Sequence, residues 1–105
     1  MKEAILGRSY GLSLVFVADK LSKEMHLRFK GKRSPANVLS FPLSKKSGEI
    51  FINPKEAARE SALFDTTPKK FIGFLFIHGL LHLKGLRHGS TMESKERKFR
   101  AKFGV

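Results

Sequence analysis

Three of the chain's four histidines fall inside one short segment, His78-Gly79-Leu80-Leu81-His82-Leu83-Lys84-Gly85-Leu86-Arg87-His88. Residues four apart on a helix project from one face, so a helical segment presents His78 and His82 together. Gly85 can take the left-handed backbone that ends helices and turn the chain so that His88 returns towards the other two. Neutral imidazole is a good zinc ligand, and catalytic zinc sites take three protein ligands and leave the fourth position to water. The spacing predicts one zinc ion per chain, held by His78, His82 and His88. There is no cysteine, so a transition metal must be held by nitrogen and oxygen; nickel would be bound by much the same ligands.

The surroundings of the histidines narrow the chemistry. Two imidazoles within an otherwise apolar helix must find polar partners or cost stability, and a shared cation would serve both. The spacing is that of the long zinc-peptidase signature, yet Gly79 stands where those enzymes keep a glutamate base, which argues against a metallopeptidase. A glycine inside a helix costs roughly 1 kcal/mol relative to alanine, so Gly79 suggests close approach by a neighbouring backbone or by substrate. Zinc can polarise a phosphoryl oxygen, which makes ester hydrolysis reachable. None of the nine carboxylates occupies the helix turn between His78 and His82, so no general base is evident. His26 has no partner at ligand spacing and is assigned no role.

Charge points to the substrate. Twenty-one Lys and Arg against nine acids give a formal charge of +12, far beyond what solubility needs, and a potential that attracts polyanions. Nucleic acid is the leading partner, and a phosphodiester most rewards a basic pocket. The apolar run from Phe71 to Leu83 is too short for a membrane span and contains two histidines, while Met1 onward lacks the apolar core of a signal peptide. The expectation is a single-domain cytoplasmic protein with no membrane partner.

Several elements must position the histidines. Leu12 to Val17 reads as a strand ending at Asp19, a candidate N-cap for a short helix from about Lys20 to Leu27. Gly31 to Pro35 breaks the chain, and Asn37 to Phe41 resumes as a strand closed by Pro42. After a turn at Lys45 to Gly48, Glu49 to Ile52 forms another strand. Asn53-Pro54 and Thr67-Pro68 each place a cap and an N1 proline ahead of a helix, the first spanning Lys55 to about Phe64 and the second carrying His78 and His82. The second helix is apolar around nearly its whole circumference and should lie in the middle of the fold. A charged helix from Thr91 to Phe103 follows, with Met92, Phe99 and Phe103 facing inward.

At this point the residues resemble a known family, the YbeY-type endoribonucleases, whose signature reads H-G-x-L-H-L-x-G-Y-D-H. His78-Gly79, Leu81-His82-Leu83, Gly85 and His88 match it, including the glycine in the protease base position. Phe29-Lys30-Gly31-Lys32-Arg33-Ser34-Pro35-Ala36-Asn37-Val38-Leu39-Ser40-Phe41-Pro42 is similar to the family's Y-R-G-K-x-x-P-T-[DN]-V-L-S-F-P, and Gly48 to Ile52 to its G-D-I-V-I strand. The resemblance implies an α+β fold, with a small mixed β-sheet packed against helices and a central helix carrying a three-histidine zinc site. It also implies a zinc-dependent, single-strand-specific endoribonuclease in ribosomal RNA maturation, at the 3′ end of small-subunit RNA, and in ribosome quality control. RNA and the ribosome would be its partners.

Three departures separate this chain from the pattern. Lys30 stands where the family has a functionally important arginine; it keeps the charge but loses the planar fork that grips phosphate, and is the candidate catalytic side chain beside the metal. Arg87 replaces the aspartate before the last histidine. Only about eleven residues precede the first strand, where relatives carry a strand and a helix; Met1 to Leu6 reads as a remnant of that helix, leaving one side of the sheet less covered. Lys30, Lys32, Arg33, Lys45, Lys46, Lys84 and Arg87 are candidate RNA contacts at the cleft entrance. A competing reading, motivated by Lys30 and Arg87, is a ribosome- or RNA-binding protein whose metal is structural and whose catalysis is weak or lost.

Overall fold

The structure is a computed structural model describing residues 1–105. In chain order it contains α1 (Lys2–Leu6), β1 (Gly11–Phe16), α2 (Asp19–Lys30), β2 (Val38–Ser44), β3 (Ser47–Ile52), α3 (Pro54–Leu63), α4 (Pro68–Leu83) and α5 (Ser90–Phe103). The expected α+β class is found. Three strands form a mixed sheet in the order β1-β3-β2, with β1 parallel and β2 antiparallel to β3.

β3 is central, paired with β1 on one side and β2 on the other, and its residues alternate between the two faces. Gly48, Ile50 and Ile52 are buried, while Ser47, Glu49 and Phe51 face the opposite side. The buried side meets α4, whose Ile77, Leu80 and Leu81 join Ile50, Ile52, Ile5, Met92 and Phe99 in the main core. α4 has buried residues around much of its circumference and packs on α3, α5 and the sheet, the central position expected of an apolar helix. On the other face, Phe29 of α2, Phe41 of β2 and Phe51 of β3 form an edge-to-face row with centroids 5.1 and 5.8 Å apart.

Local boundaries depart from the sequence reading at Asp19, Leu27 and Pro42, and Ser47 and Gly48, expected in the turn, belong to β3. Asp19 is not an N-cap: Ala18 occupies that position, and the Asp19 carboxylate instead accepts hydrogen bonds from Asn53 and Arg59. α2 runs past Leu27 to Lys30, and Gly31 ends it in the left-handed conformation at φ 69°. Pro42 does not close β2. β2 is an edge strand, where a residue without an N–H is tolerated, and the strand continues through an irregularity between Pro42 and Ser44. Asn53 and Thr67 cap α3 and α4 as expected, each accepting from backbone N–H groups of the first turn.

Lys2–Leu6 forms a short helix with Met1 as its N-cap, and Ile5 anchors it in the core at 3% exposure. β1 is the other edge of the sheet, and its Leu14, Val15 and Phe16 remain exposed. No helix is long and apolar enough to cross a membrane.

Gly79 brings α4 against the sheet. A Cβ built there would lie 2.9 Å from Ser40 Oγ, 3.1 Å from Ile50 Cδ1 and 3.3 Å from Ile50 Cγ2. The Ser40 hydroxyl donates to the Gly79 carbonyl at 3.3 Å, so β2 and α4 touch at this point. The close neighbour is thus the sheet. Gly79→Ala gains about 1 kcal/mol of helix propensity but overpacks this contact at a cost of about 2 kcal/mol, and the expected net result is a loss of about 1 kcal/mol. Denaturant unfolding checks it; equal or greater stability would show that the contact relaxes freely.

Candidate metal centre and cleft

Helix α4 puts His78 and His82 on one face, and the way it ends brings in His88. Gly85 N–H donates to the His82 carbonyl at 2.9 Å and Leu86 N–H to the Leu81 carbonyl at 3.1 Å, with Gly85 at φ 105°. That bond pair is a Schellman stop, in which a left-handed glycine reverses the chain and satisfies two free carbonyls. The reversal places the His88 ring 5.2 Å from His78 and 4.9 Å from His82, centroid to centroid. One nitrogen from each ring lies within 4.8 Å of the other two.

The outward nitrogens determine what the inward ones can do. His82 Nδ1 lies 3.0 Å from the Leu86 carbonyl, which can only accept, so Nδ1 carries the proton. His78 Nδ1 lies 3.4 Å from Glu96 Oε2, and a carboxylate there accepts in the same way. Both Nε2 atoms are then bare lone pairs, and they face each other at 3.0 Å. Two such acceptors repel unless a cation or proton sits with them. Burial pushes the His78 pKa down to about 4, with the His88 charge adding to it, and burial likewise lowers that of His82. At neutral pH both rings are therefore neutral, the form that binds metal. The donor set fits a divalent ion with affinity for imidazole, and outer acceptors that fix ring orientation are the usual support of such a site.

Glu96 was missed by the sequence reading. Its place on α5 is legible in retrospect: Met92, Glu96 and Phe99 are spaced four and three apart and all face the core. Burial raises the Glu96 pKa. It supplies the carboxylate near the histidines that Arg87 does not.

A cleft of about 690 Å³ opens over the three imidazoles, lined by His26, Lys30, Lys32, Asn37, Val38, Leu39, Ser40, His78, His82 and His88. The end of α2 supplies Lys30, and the loop after it Lys32. His26, to which no role was assigned, also faces this space, with Nδ1 2.8 Å from the Ser34 carbonyl. The other basic residues expected at the entrance do not line it. Arg33 and Arg87 are exposed nearby in sequence. Lys45 and Lys46 occupy the β2–β3 turn, five residues or more beyond Ser40, about 17 Å along an extended strand. Lys84 Nζ donates to the Ile5 carbonyl at 3.2 Å, tying α1 to α4.

The family model for endoribonuclease YbeY matches residues 1–103. The chain belongs to the YbeY endoribonuclease family. Its similarity to endoribonuclease YbeY of Thermodesulfovibrio yellowstonii is 33% identity over 85% of this chain and 60% of that protein. For the protein of the same name from Geobacillus kaustophilus the values are 29%, 90% and 73%. Several curated YbeY relatives are thus matched over only about 60% of their length. A Thermotoga maritima protein with a solution structure superposes with a TM-score of 0.70 at 28% identity, over 98% of this chain and 74% of that one.

The role of Glu96 is testable by metal titration alone. Glu96→Ala removes the acceptor for His78 Nδ1–H, and affinity for zinc is expected to fall about 10- to 100-fold. Glu96→Gln keeps an accepting oxygen and should lose less. Calorimetric titration reads both; equal affinity in the parent and Glu96→Ala would show that the ring needs no such support.

Proposed function

We propose that this chain is a zinc-dependent endoribonuclease acting on single-stranded RNA, with ribosomal RNA as its physiological substrate. The observation that carries the reading is the convergence of three imidazoles under a cleft whose rim bears Lys30 and Lys32. His78, His82 and His88 hold one zinc ion. When bound, the ion supplies Lewis acidity at a phosphoryl oxygen.

The protein's own groups do the rest. Lys30 and Lys32 draw the backbone into the cleft and offset the negative charge that accumulates on the phosphate as it is attacked. Lys30 does this as a point charge, without the bidentate grip of an arginine. Asn37 and Ser40 add polar groups to the cleft lining from β2 and the residue before it, and His26 adds another from α2. The overall charge of +12 supplies long-range attraction to RNA. Maturation of the small-subunit RNA 3′ end, ribosome quality control and a cytoplasmic location belong to the same proposal, supported by the family membership.

Purified protein loaded with zinc is expected to cleave a single-stranded RNA and spare the duplex of the same sequence. Chelation and His82→Ala should each abolish cleavage, while His82→Ala retains RNA binding. Binding should weaken with salt at a log–log slope of roughly −0.7 per phosphate neutralised, with Lys30→Ala reducing the slope by about that amount. Cleavage that persists in His82→Ala would sink the metal mechanism. Binding without any cleavage by the zinc-loaded parent would favour the RNA-binding alternative, in which the metal is structural.

A further inference from the structure

Beside the metal cleft lies a second hollow of about 500 Å³, lined by Asn37, Glu60, Phe64, Thr66, Phe71, Phe74 and Arg100. Its aromatic wall is continuous with the histidines. Phe64 stacks on Phe71 with centroids 5.7 Å apart and planes 11° from parallel, Phe71 meets Phe74 at 5.8 Å, and Phe74 meets His78 at 6.1 Å. Phe71, Phe74 and His78 are spaced three and four apart on α4, so the helix that supplies the metal ligands also supplies this wall. Asn37 lines both spaces.

Phe64 and its neighbour Leu63 are the most exposed of the large apolar side chains, and of the two only Phe64 lines the hollow. Phe64 directly follows α3, is 68% exposed, and gains only part of the burial its ring would have in a core. The Arg100 guanidinium lies 4.6 Å from the centre of the Phe74 ring, which puts a planar cation on the same wall. Asn37 Nδ2 donates to Glu60 Oε2 at 2.7 Å. That bond fixes the Asn37 amide and leaves its oxygen, with the Thr66 hydroxyl, able to meet a polar edge. Stacking rings, a planar cation and a few polar groups are how single-stranded nucleic acid bases are held.

We propose that this hollow is a nucleobase subsite, in which an unpaired RNA base next to the phosphate in the metal cleft packs against Phe64 and Phe74 with Arg100 beside it. The proposal rests on the single-stranded RNA reading above and adds to it where the strand runs. The occupant is a base because the hollow meets the metal cleft at Asn37, because its aromatic wall reaches His78 through Phe74, and because Glu60 and Arg100 both line it, so it suits an uncharged planar ring better than a phosphate. A paired base is excluded from such a contact by its own stack, so the subsite also gives a physical reason for preferring single strands.

The test uses the zinc-loaded full chain and a single-stranded RNA with 2′-O-methyl groups that block cleavage, with and without one abasic nucleotide at each position in turn. Phe64→Ala is expected to weaken binding about 5- to 150-fold with an unchanged salt slope, the scale of one lost base stack. Phe64→Trp should bind within about twofold of the parent. One abasic position should cost the parent affinity but cost Phe64→Ala almost nothing, and that position should keep a fixed offset from the cut in unblocked RNA. Equal binding by Phe64→Ala and the parent, or abasic losses that simply add to the Phe64→Ala loss, would overturn the subsite while leaving the nuclease reading intact. Failure of the parent to bind RNA at all would overturn both.

Discussion

Two neutral imidazole lone pairs held 3.0 Å apart inside an apolar helix are the constraint around which the site is built. Each ring is held in that orientation by a bond on its far side, one to the Leu86 carbonyl and one to Glu96. The stop at Gly85 therefore has two consequences, since it returns His88 to the cluster and also brings round the Leu86 carbonyl. α5 has a matching dual part: Met92 and Phe99 pack into the core, and Glu96 between them reaches His78. The Gly85 stop and α5, which complete the fold, also orient the donors that a cation would use, so metal affinity and fold integrity are linked through the same few bonds.

Gly79 connects this site to the sheet. Its lack of a side chain lets Ser40 of β2 contact the helix backbone between His78 and His82, which sets one wall of the cleft. The residue that distinguishes this chain from zinc peptidases thus has a packing role here, independent of which base is missing. β2 is an edge strand, paired with β3 on one side only, and its Val38, Leu39 and Ser40 line the cleft.

The site was readable from the chain wherever spacing alone determines proximity. His78 and His82 are one helical turn apart, and Gly85 announces the reversal that returns His88; these need no knowledge of the rest of the fold. The paired signals Asn53-Pro54 and Thr67-Pro68 likewise mark α3 and α4 through local backbone chemistry. What could not be read depended on tertiary neighbours. Asp19 has the composition of a cap, yet Arg59 and Asn53, distant in sequence, recruit its carboxylate elsewhere. Pro42 is a strand terminator only in a strand that needs its N–H, and nothing near it in sequence says that β2 is an edge. Lys45 and Lys84 share the charge of Lys30 but lie on the hairpin turn and against α1. A count of basic residues carries no information about which ones share a face. Glu96 and His26 reach the site from helices whose orientation only packing decides.

The uncovered β1 edge has a bearing on how the protein behaves as a population. An edge strand with Leu14, Val15 and Phe16 exposed offers backbone and apolar surface on which another copy could add. Copies carrying +12 repel one another, but over a Debye length of only about 10 Å at 0.1 M salt. Like charge is therefore a colloidal guard over that edge, strongest in dilute buffer and weakest where salt, or a neutralising polyanion, screens it. Binding a polyanion would remove the repulsion that keeps two β1 edges apart, so the charges that attract a polyanion are also those that hold copies of the chain apart.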